Sequence, residues 1–160
     1  MKPPTIILRS MLPEDHEAVG RLSVGDQQQQ FVDPMPLTLG TSALLRDNMV
    51  IEHEAEIVGF FQIDTKAPGY IRQPMLELCQ VVIDQRHQGK GFGKGFLLLL
   101  PAFLKQQYPA AAGVVLTVNC RNKMAHHVYS AGGFHDTGEI YTGGPSGPQH
   151  IMTLSWSREV

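Results

Sequence analysis

The run Gln88-Gly89-Lys90-Gly91-Phe92-Gly93 constrains this chain more than any other stretch. Glycines alternate there, and both flanks are apolar. Upstream, Val81-Val82-Ile83 closes a strand predicted over 75–84 that is apolar on both faces, as a central strand is. Downstream, Phe92, Phe96, Leu99, Leu100 and Phe103 recur at helical spacing and predict a helix over 91–107. The run therefore reads as a turn from a buried strand into a helix. The first amides of a helix have no internal partner and lie at the positive end of its dipole. Glycines let a ligand reach that backbone without side-chain obstruction. Such a turn suits a phosphate or pyrophosphate.

Two familiar phosphate loops fail on specific residues. A nucleoside-triphosphate loop needs G-x-x-x-x-G-K-[ST]. Here Gly95 stands where a hydroxyl should hold magnesium, and Gln88 where the first glycine belongs. A dinucleotide fingerprint needs G-x-G-x-x-G, and Lys94 occupies the position of its third glycine.

The rest of the chain reads as one α+β domain with a mixed sheet. Its 160 residues suffice for a single core. A net charge of -2, with no dense Lys/Arg run, argues against a nucleic-acid partner. The longest apolar run, 96–104, is too short to span a bilayer, and Met1-Lys2-Pro3-Pro4 does not open like a signal peptide. Two cysteines, Cys79 and Cys120, make no disulfide framework, so a reducing cytoplasm is the simpler expectation. A strand is predicted over 5–9, a helix opens at Pro13-Glu14-Asp15, and a second helix covers 37–46. Strands over 49–54 and 57–64 are joined by Ala55-Glu56, and 66–74 is a loop. Pro101 should kink or split the helix that contains it. A strand over 114–118 and a helix over 122–132, closed by Gly132-Gly133, come next. Strands over 134–141 and 150–156 flank a Gly- and Pro-rich segment.

Two motifs carry a resemblance. Arg86-His87-Gln88-Gly89-Lys90-Gly91 fits [RQ]-x-x-G-x-[GA]. Asn122-x-x-Ala125-x-x-x-Tyr129-x-x-x-Gly133-Phe134 follows it on a predicted helix. In this order and at this distance they resemble the GNAT superfamily of acyl-CoA-dependent N-acyltransferases, over 75–134 by motif and over the flanks by element order. The resemblance implies a mixed six- to seven-stranded sheet flanked by about four helices, in which the strands before the glycine turn and after the long helix splay apart. Acetyl-CoA would be the co-substrate. Its pantetheine arm would lie along the backbone of Val81, Val82 and Ile83, and its pyrophosphate on Gln88, Gly89, Lys90, Gly91, Phe92 and Gly93 with Lys94 nearby. Asn122 would reach the pantetheine, and Tyr129 would be the acid at the departing thiolate. Glu77 would be the base, directly or through water; Cys79 and Gln80 occupy positions where some members carry their glutamate.

The acceptor is less constrained. Residues 28–34 somewhat resemble the corresponding segment of polyamine and small-amine acetyltransferases. A cationic acceptor would call for carboxylates, and Asp33, Glu52, Glu54 and Glu77 are the candidates. The run Gly143-Gly144-Pro145-Ser146-Gly147-Pro148 reads as a lid, a homodimer contact or a plain hairpin turn. A protein or peptide N-acetyltransferase, and a non-catalytic acyl-CoA-binding regulatory module, stay open as alternatives. No metal is expected: His126-His127 are adjacent and diverge on a helix, and His53-Glu54-Ala55-Glu56-Ile57 lacks the second histidine of H-E-x-x-H. Cys120 reads as a small buried hydrophobe without a paired base.

Overall fold

The computed structural model describes residues 4–23, 46–66, 74–144 and 147–156. The expected helix over 37–46 lies outside them save for Arg46, and residues 28–34 with Asp33 lie outside altogether. The described elements run in the order β1 (Ile7–Ser10), a 3-10 turn (Pro13–Asp15), α1 (His16–Gly20), β2 (Asp47–His53), β3 (Glu56–Asp64), β4 (Met75–Ile83), a second 3-10 turn (Gln85–His87), α2 (Phe92–Gln107), β5 (Gly113–Asn119), α3 (Lys123–Ala131), β6 (His135–Tyr141) and β7 (Gln149–Ser155).

The seven strands form one sheet in the order β1-β2-β3-β4-β5-β7-β6. Every neighbouring pair is antiparallel except β4 and β5. A parallel pair needs a long crossover, and α2 supplies it. One sheet face packs Phe61, Ile63, Leu76, Val114 and Met152 under Phe96, Leu100 and Leu104 of α2. The opposite face packs Val50, Phe60 and Val82 under Val19 of α1 and Leu22.

Several sequence expectations shift. The first hairpin turns at Glu54-Ala55 rather than Ala55-Glu56. Both residues take positive φ, 50° and 66°. That backbone matches the twist of the flanking strands, so register overrides the residues' own preference. The most enclosed strand is β3, with Val58, Phe60, Phe61, Gln62 and Ile63 all at 0% exposure. Val81 and Ile83 of β4 are only half-buried, against the expectation of a strand apolar and covered on both faces. Pro101 does not split α2, which runs unbroken from Phe92 to Gln107. Burial of Leu97, Leu100 and Leu104 on either side of the proline holds the turn that its missing N–H weakens.

Candidate active site

The site begins where β4 and β5 part. Their register runs Met75↔Gly113, Leu76↔Val114, Glu77↔Val115, and stops. Beyond Glu77, β4 keeps its pairing to β3 as far as Gly59↔Ile83, and β5 keeps its pairing to β7 as far as Asn119↔Gln149. The two strands thus remain in the sheet while separating from one another. The cause is local. Phe60 faces Val82 and Gln62 faces Cys79, so Gln80 and Val81 together oppose Phe61. This is a β-bulge, with Gln80 at φ 29°. A bulge bends its strand and ends pairing on one side. It leaves Val81, Val82 and Ile83 with one edge turned toward the opening.

The glycine turn stands at the end of that opening. Asp84 is buried and anchors the approach: its carboxylate accepts from Arg86 at 2.8 Å and from the Ser23 amide at 3.3 Å. Arg86, the polar lead of the motif, is therefore committed to Asp84. Gln88 ties the turn back to the strand through Nε2 donating to the Ile83 carbonyl at 3.0 Å. Gly89 and Gly91 then take φ of 78° and 88°, a region that side chains rarely enter. The first intrahelical bond of α2 is donated by Gly95 to Gly91. Among the described residues, the amides of Gly89, Lys90, Gly91, Phe92, Gly93 and Lys94 donate no hydrogen bond. A Cβ built on Gly89 or Gly93 meets nothing within 4 Å. The turn is open to a ligand, lined with unpartnered donors at the positive end of a 16-residue helix. Lys90 and Lys94 are exposed beside it.

Across the sheet from α1, α3 carries the second motif. Asn122 is its N-cap: Oδ1 accepts from the Ala125 amide at 3.2 Å. Capping accounts for an asparagine that helical amphipathicity alone leaves unexplained. Tyr129 is half-buried, its ring edge-on to Phe134 at 5.6 Å. Burial pushes its pKa above the ordinary phenol value. Among the described residues no hydrogen bond to its hydroxyl is present.

Glu77 occupies the last paired position before the strands part, half-buried and cross-strand from Asp64. Burial raises its pKa, Arg46 opposes that rise and Asp64 adds to it. Asn48, Gln62 and Cys79 are register partners on the same face, with Gln62 Nε2 donating to Asn48 Oδ1 at 2.9 Å. Arg46, Asn48, Gln62, Asp64 and Glu77 thus make a polar floor at one end of a face that is apolar at the other. Cys79 is not a nucleophile there: burial, reinforced by the charge of Glu77, pushes its thiol up to about 12.

The floor corrects the expected carboxylates. Glu52 accepts from Arg9 at 2.9 Å, in a cluster that also binds Asp15. Glu54 lies in the exposed hairpin turn. Neither joins Glu77, whereas Asp64, overlooked in the sequence, does. An alternation count would have found Asp64 only with the β3–β4 register already in hand. Cys120, half-buried at the end of β5, holds the β7 approach through its amide to the Pro148 carbonyl at 3.0 Å. His126 and His127 diverge as expected, but His126 meets two distant residues: its Nε2 lies 2.9 Å from Asp136 Oδ2, and His150 Nδ1 lies 3.4 Å from the same oxygen. Their separation in sequence hid this group.

The chain has relatives among known proteins, and its fold recurs in solved structures. The N-acetyltransferase YbbJ of Bacillus subtilis (strain 168), itself uncharacterized, is 36% identical over 99 residues, 59% of this chain. That match spans 61% of YbbJ's own length, less than two thirds. The 5-NmdU N-acetyltransferase of Pseudomonas phage PaMx11 is 29% identical over 141 residues, 86% of this chain and 93% of that protein. The spermidine N-acetyltransferase of Vibrio cholerae, solved with CoA and spermine, superposes with a TM-score of 0.68 at 19% identity, covering 94% of this chain and 95% of that one. The model of the acetyltransferase (GNAT) family matches residues 10–134, from β1 through the splayed strands and the glycine turn to the end of the Asn122–Phe134 motif, and this chain belongs to that family.

Proposed function

We propose that this chain transfers the acetyl group of acetyl-CoA to a primary amine. The observation that carries the reading is the conjunction of six unpartnered amides, Gly89 to Lys94, with a bulge at Gln80 that opens β4 from β5. A pyrophosphate on the turn directs the pantetheine arm down the opening. There the free edge of Val81, Val82 and Ile83 receives it as a sheet edge receives an added strand. Asn122, at the mouth of α3, is the candidate side-chain contact to that arm.

The amine must lose a proton before it attacks. Glu77, at the vertex of the opening, accepts that proton directly or through a water. Its raised pKa suits it to the task, because a base poised closer to neutrality is a better proton acceptor. The nitrogen then adds to the thioester carbonyl and gives its second proton to solvent, and the tetrahedral intermediate collapses as the C–S bond breaks. Tyr129 donates a hydrogen bond to the departing sulfur. Its pKa lies above about 10, whereas an ordinary thiol ionises near about 8.5. Complete proton transfer from phenol to thiolate is therefore uphill, and Tyr129 acts as a hydrogen-bond donor while solvent protonates the thiolate.

The acceptor in this reading is a small amine or polyamine. Two carboxylates, Asp64 and Glu77, against the single guanidinium of Arg46 favour a cation on the polar floor. The structural neighbour solved with spermine supports the same class. The test is thiol release from acetyl-CoA with polyamines, aminoglycosides, amino acids, peptides and 5-NmdU as acceptors. One amine class should accelerate release, and Gly89→Asp should abolish it. Tight acetyl-CoA binding without release for any acceptor would instead support a binding module.

A further inference from the structure

One side-chain cluster lies outside the proposed acetyl-transfer chemistry. His126 comes from α3, Asp136 from the start of β6 and His150 from β7. His126 Nε2, Asp136 Oδ2 and His150 Nδ1 all lie within 4.8 Å of one another. The two imidazoles face each other edge to face, with centroids 4.8 Å apart. Both converge on a single carboxylate oxygen, at 2.9 and 3.4 Å.

The backbone is shaped to bring them together. Asp136 pairs with Met152 and Ile140 with His150, so β6 carries two more residues than β7 between these positions. The surplus is taken up at Gly138, φ 82°, whose amide donates to Asp136 Oδ1 at 2.8 Å. That bond fixes the carboxylate and turns Oδ2 toward the histidines. His126 is delivered by a helix fixed at its start by the Asn122 cap.

We propose that His126, Asp136 and His150 form a binding site for a divalent transition-metal ion of the zinc type. Two imidazole nitrogens and one carboxylate oxygen suit Zn²⁺, Co²⁺ or Ni²⁺ and not Mg²⁺ or Ca²⁺, which take oxygen ligands. Bonds of about 2.0–2.1 Å in tetrahedral geometry put ligand atoms roughly 3.3 Å apart. The observed 2.9 and 3.4 Å contacts bracket that separation. All three side chains are about one-third exposed, leaving a path for the ion and a fourth position for water. The hydrogen bond from Gly138 to the carboxylate is the kind of outer contact that orients a ligand. The ion would clamp α3 to the β6–β7 hairpin. Tyr129 lies one turn further along the same helix, so metal would stiffen the element that carries it.

The proposal stands apart from acetyl transfer and is read by binding. Tag-free protein is stripped with a chelator, then titrated with ZnCl₂ by calorimetry and with CoCl₂ by visible absorption. One equivalent of Zn²⁺ should bind, raise the melting temperature, and give a tetrahedral Co²⁺ spectrum without a thiolate charge-transfer band. His150→Ala and Asp136→Asn should each lower affinity by more than about tenfold, the lower bound typical even for outer contacts. His127→Ala, one residue away and exposed, should bind as wild type. Absence of saturable uptake by the wild type, a thiolate band, or wild-type affinity in both His150→Ala and Asp136→Asn would each overturn the site. The cobalt spectrum of the unmutated chain decides the matter even where a variant fails to fold.

Discussion

The two halves of β4 differ in kind. From Met75 to Glu77 the strand is paired with β5, and at Glu77 with β3 as well, and what it offers there is a side chain, Glu77, set against Asp64. Beyond the bulge, Val82 and Ile83 pair with β3, no register pair with β5 follows Glu77 among the described residues, and what this half offers is backbone. One bulged residue separates a half suited to proton transfer from a half suited to binding an extended arm. Side-chain chemistry needs a rigid, doubly paired strand, whereas backbone recognition needs an unpaired edge. A single strand meets both needs by losing one neighbour halfway along.

The sharpest attack on the binding half is Gly89→Asp. At φ 78° the new side chain costs roughly 1–2 kcal/mol of strain, and it meets no neighbour within 4 Å, so the chain should still fold. Its charge would face pyrophosphate. Repulsion of about 4 kcal/mol at close range corresponds to roughly a thousandfold loss of acetyl-CoA affinity. Gly89→Ala, with strain alone, should lose about tenfold or less. Calorimetry on the pair separates the two terms, and normal affinity in Gly89→Asp would remove the pyrophosphate from this turn.

Tyr129→Phe tests the bond-breaking step with the binding half intact. Loss of one preorganised donor to a developing anion costs several hundredfold in kcat. The KM for acetyl-CoA should hold, since the ring and its packing on Phe134 remain. An unchanged kcat would leave the tyrosine as packing only.

Glu77→Gln addresses the paired half. Loss of the base should lower kcat by about 100-fold and erase the acid limb of the rate profile that Glu77 sets. Stability should move the other way. Burial raises the Glu77 pKa above the ordinary carboxylate value of 4.5, so the folded chain favours the protonated form. The stability it contributes is complete below the unfolded pKa and is lost as pH rises through the folded one. Glutamine mimics the protonated state at every pH. Its melting temperature should exceed wild type at neutral pH and converge with it in acid. Equal melting temperatures at both pH values would mean that Glu77 is solvated and not poised.

These halves were unequally legible in the sequence. The binding half announces itself locally: glycine spacing, a buried strand before it and a helical period after it lie within about 30 residues, the span of a strand–turn–helix unit. The motif of Asn122, Tyr129 and Phe134 is local in the same way. The bulge at Gln80 is not, because it arises from register against Phe60 and Gln62, about 20 residues upstream. Asp64 beside Glu77 depends on that register too, which is why Glu52 and Glu54 looked equally eligible. Glu52 is instead bound to Arg9, 43 residues away. The group of His126, Asp136 and His150 required three elements and a surplus in β6. Pro101 misleads in the opposite direction, since propensity marks a break where tertiary packing keeps a helix.

The smallest effect is the most discriminating for the opening itself, because Asn122 stands both as a cap and as the candidate contact to pantetheine. Asn122→Ala removes the bond to the Ala125 amide and should cost about 1 kcal/mol of stability. Asn122→Ser keeps a capping oxygen and should melt close to wild type. The serine is too short to reach where the asparagine amide reaches. If Asn122→Ser retains stability but raises the KM for acetyl-CoA several-fold, the asparagine binds the arm as well as starting the helix. If both stability and KM match wild type, α3 contributes to the opening through its position alone. The recognition of pantetheine then rests on the free edge of Val81, Val82 and Ile83.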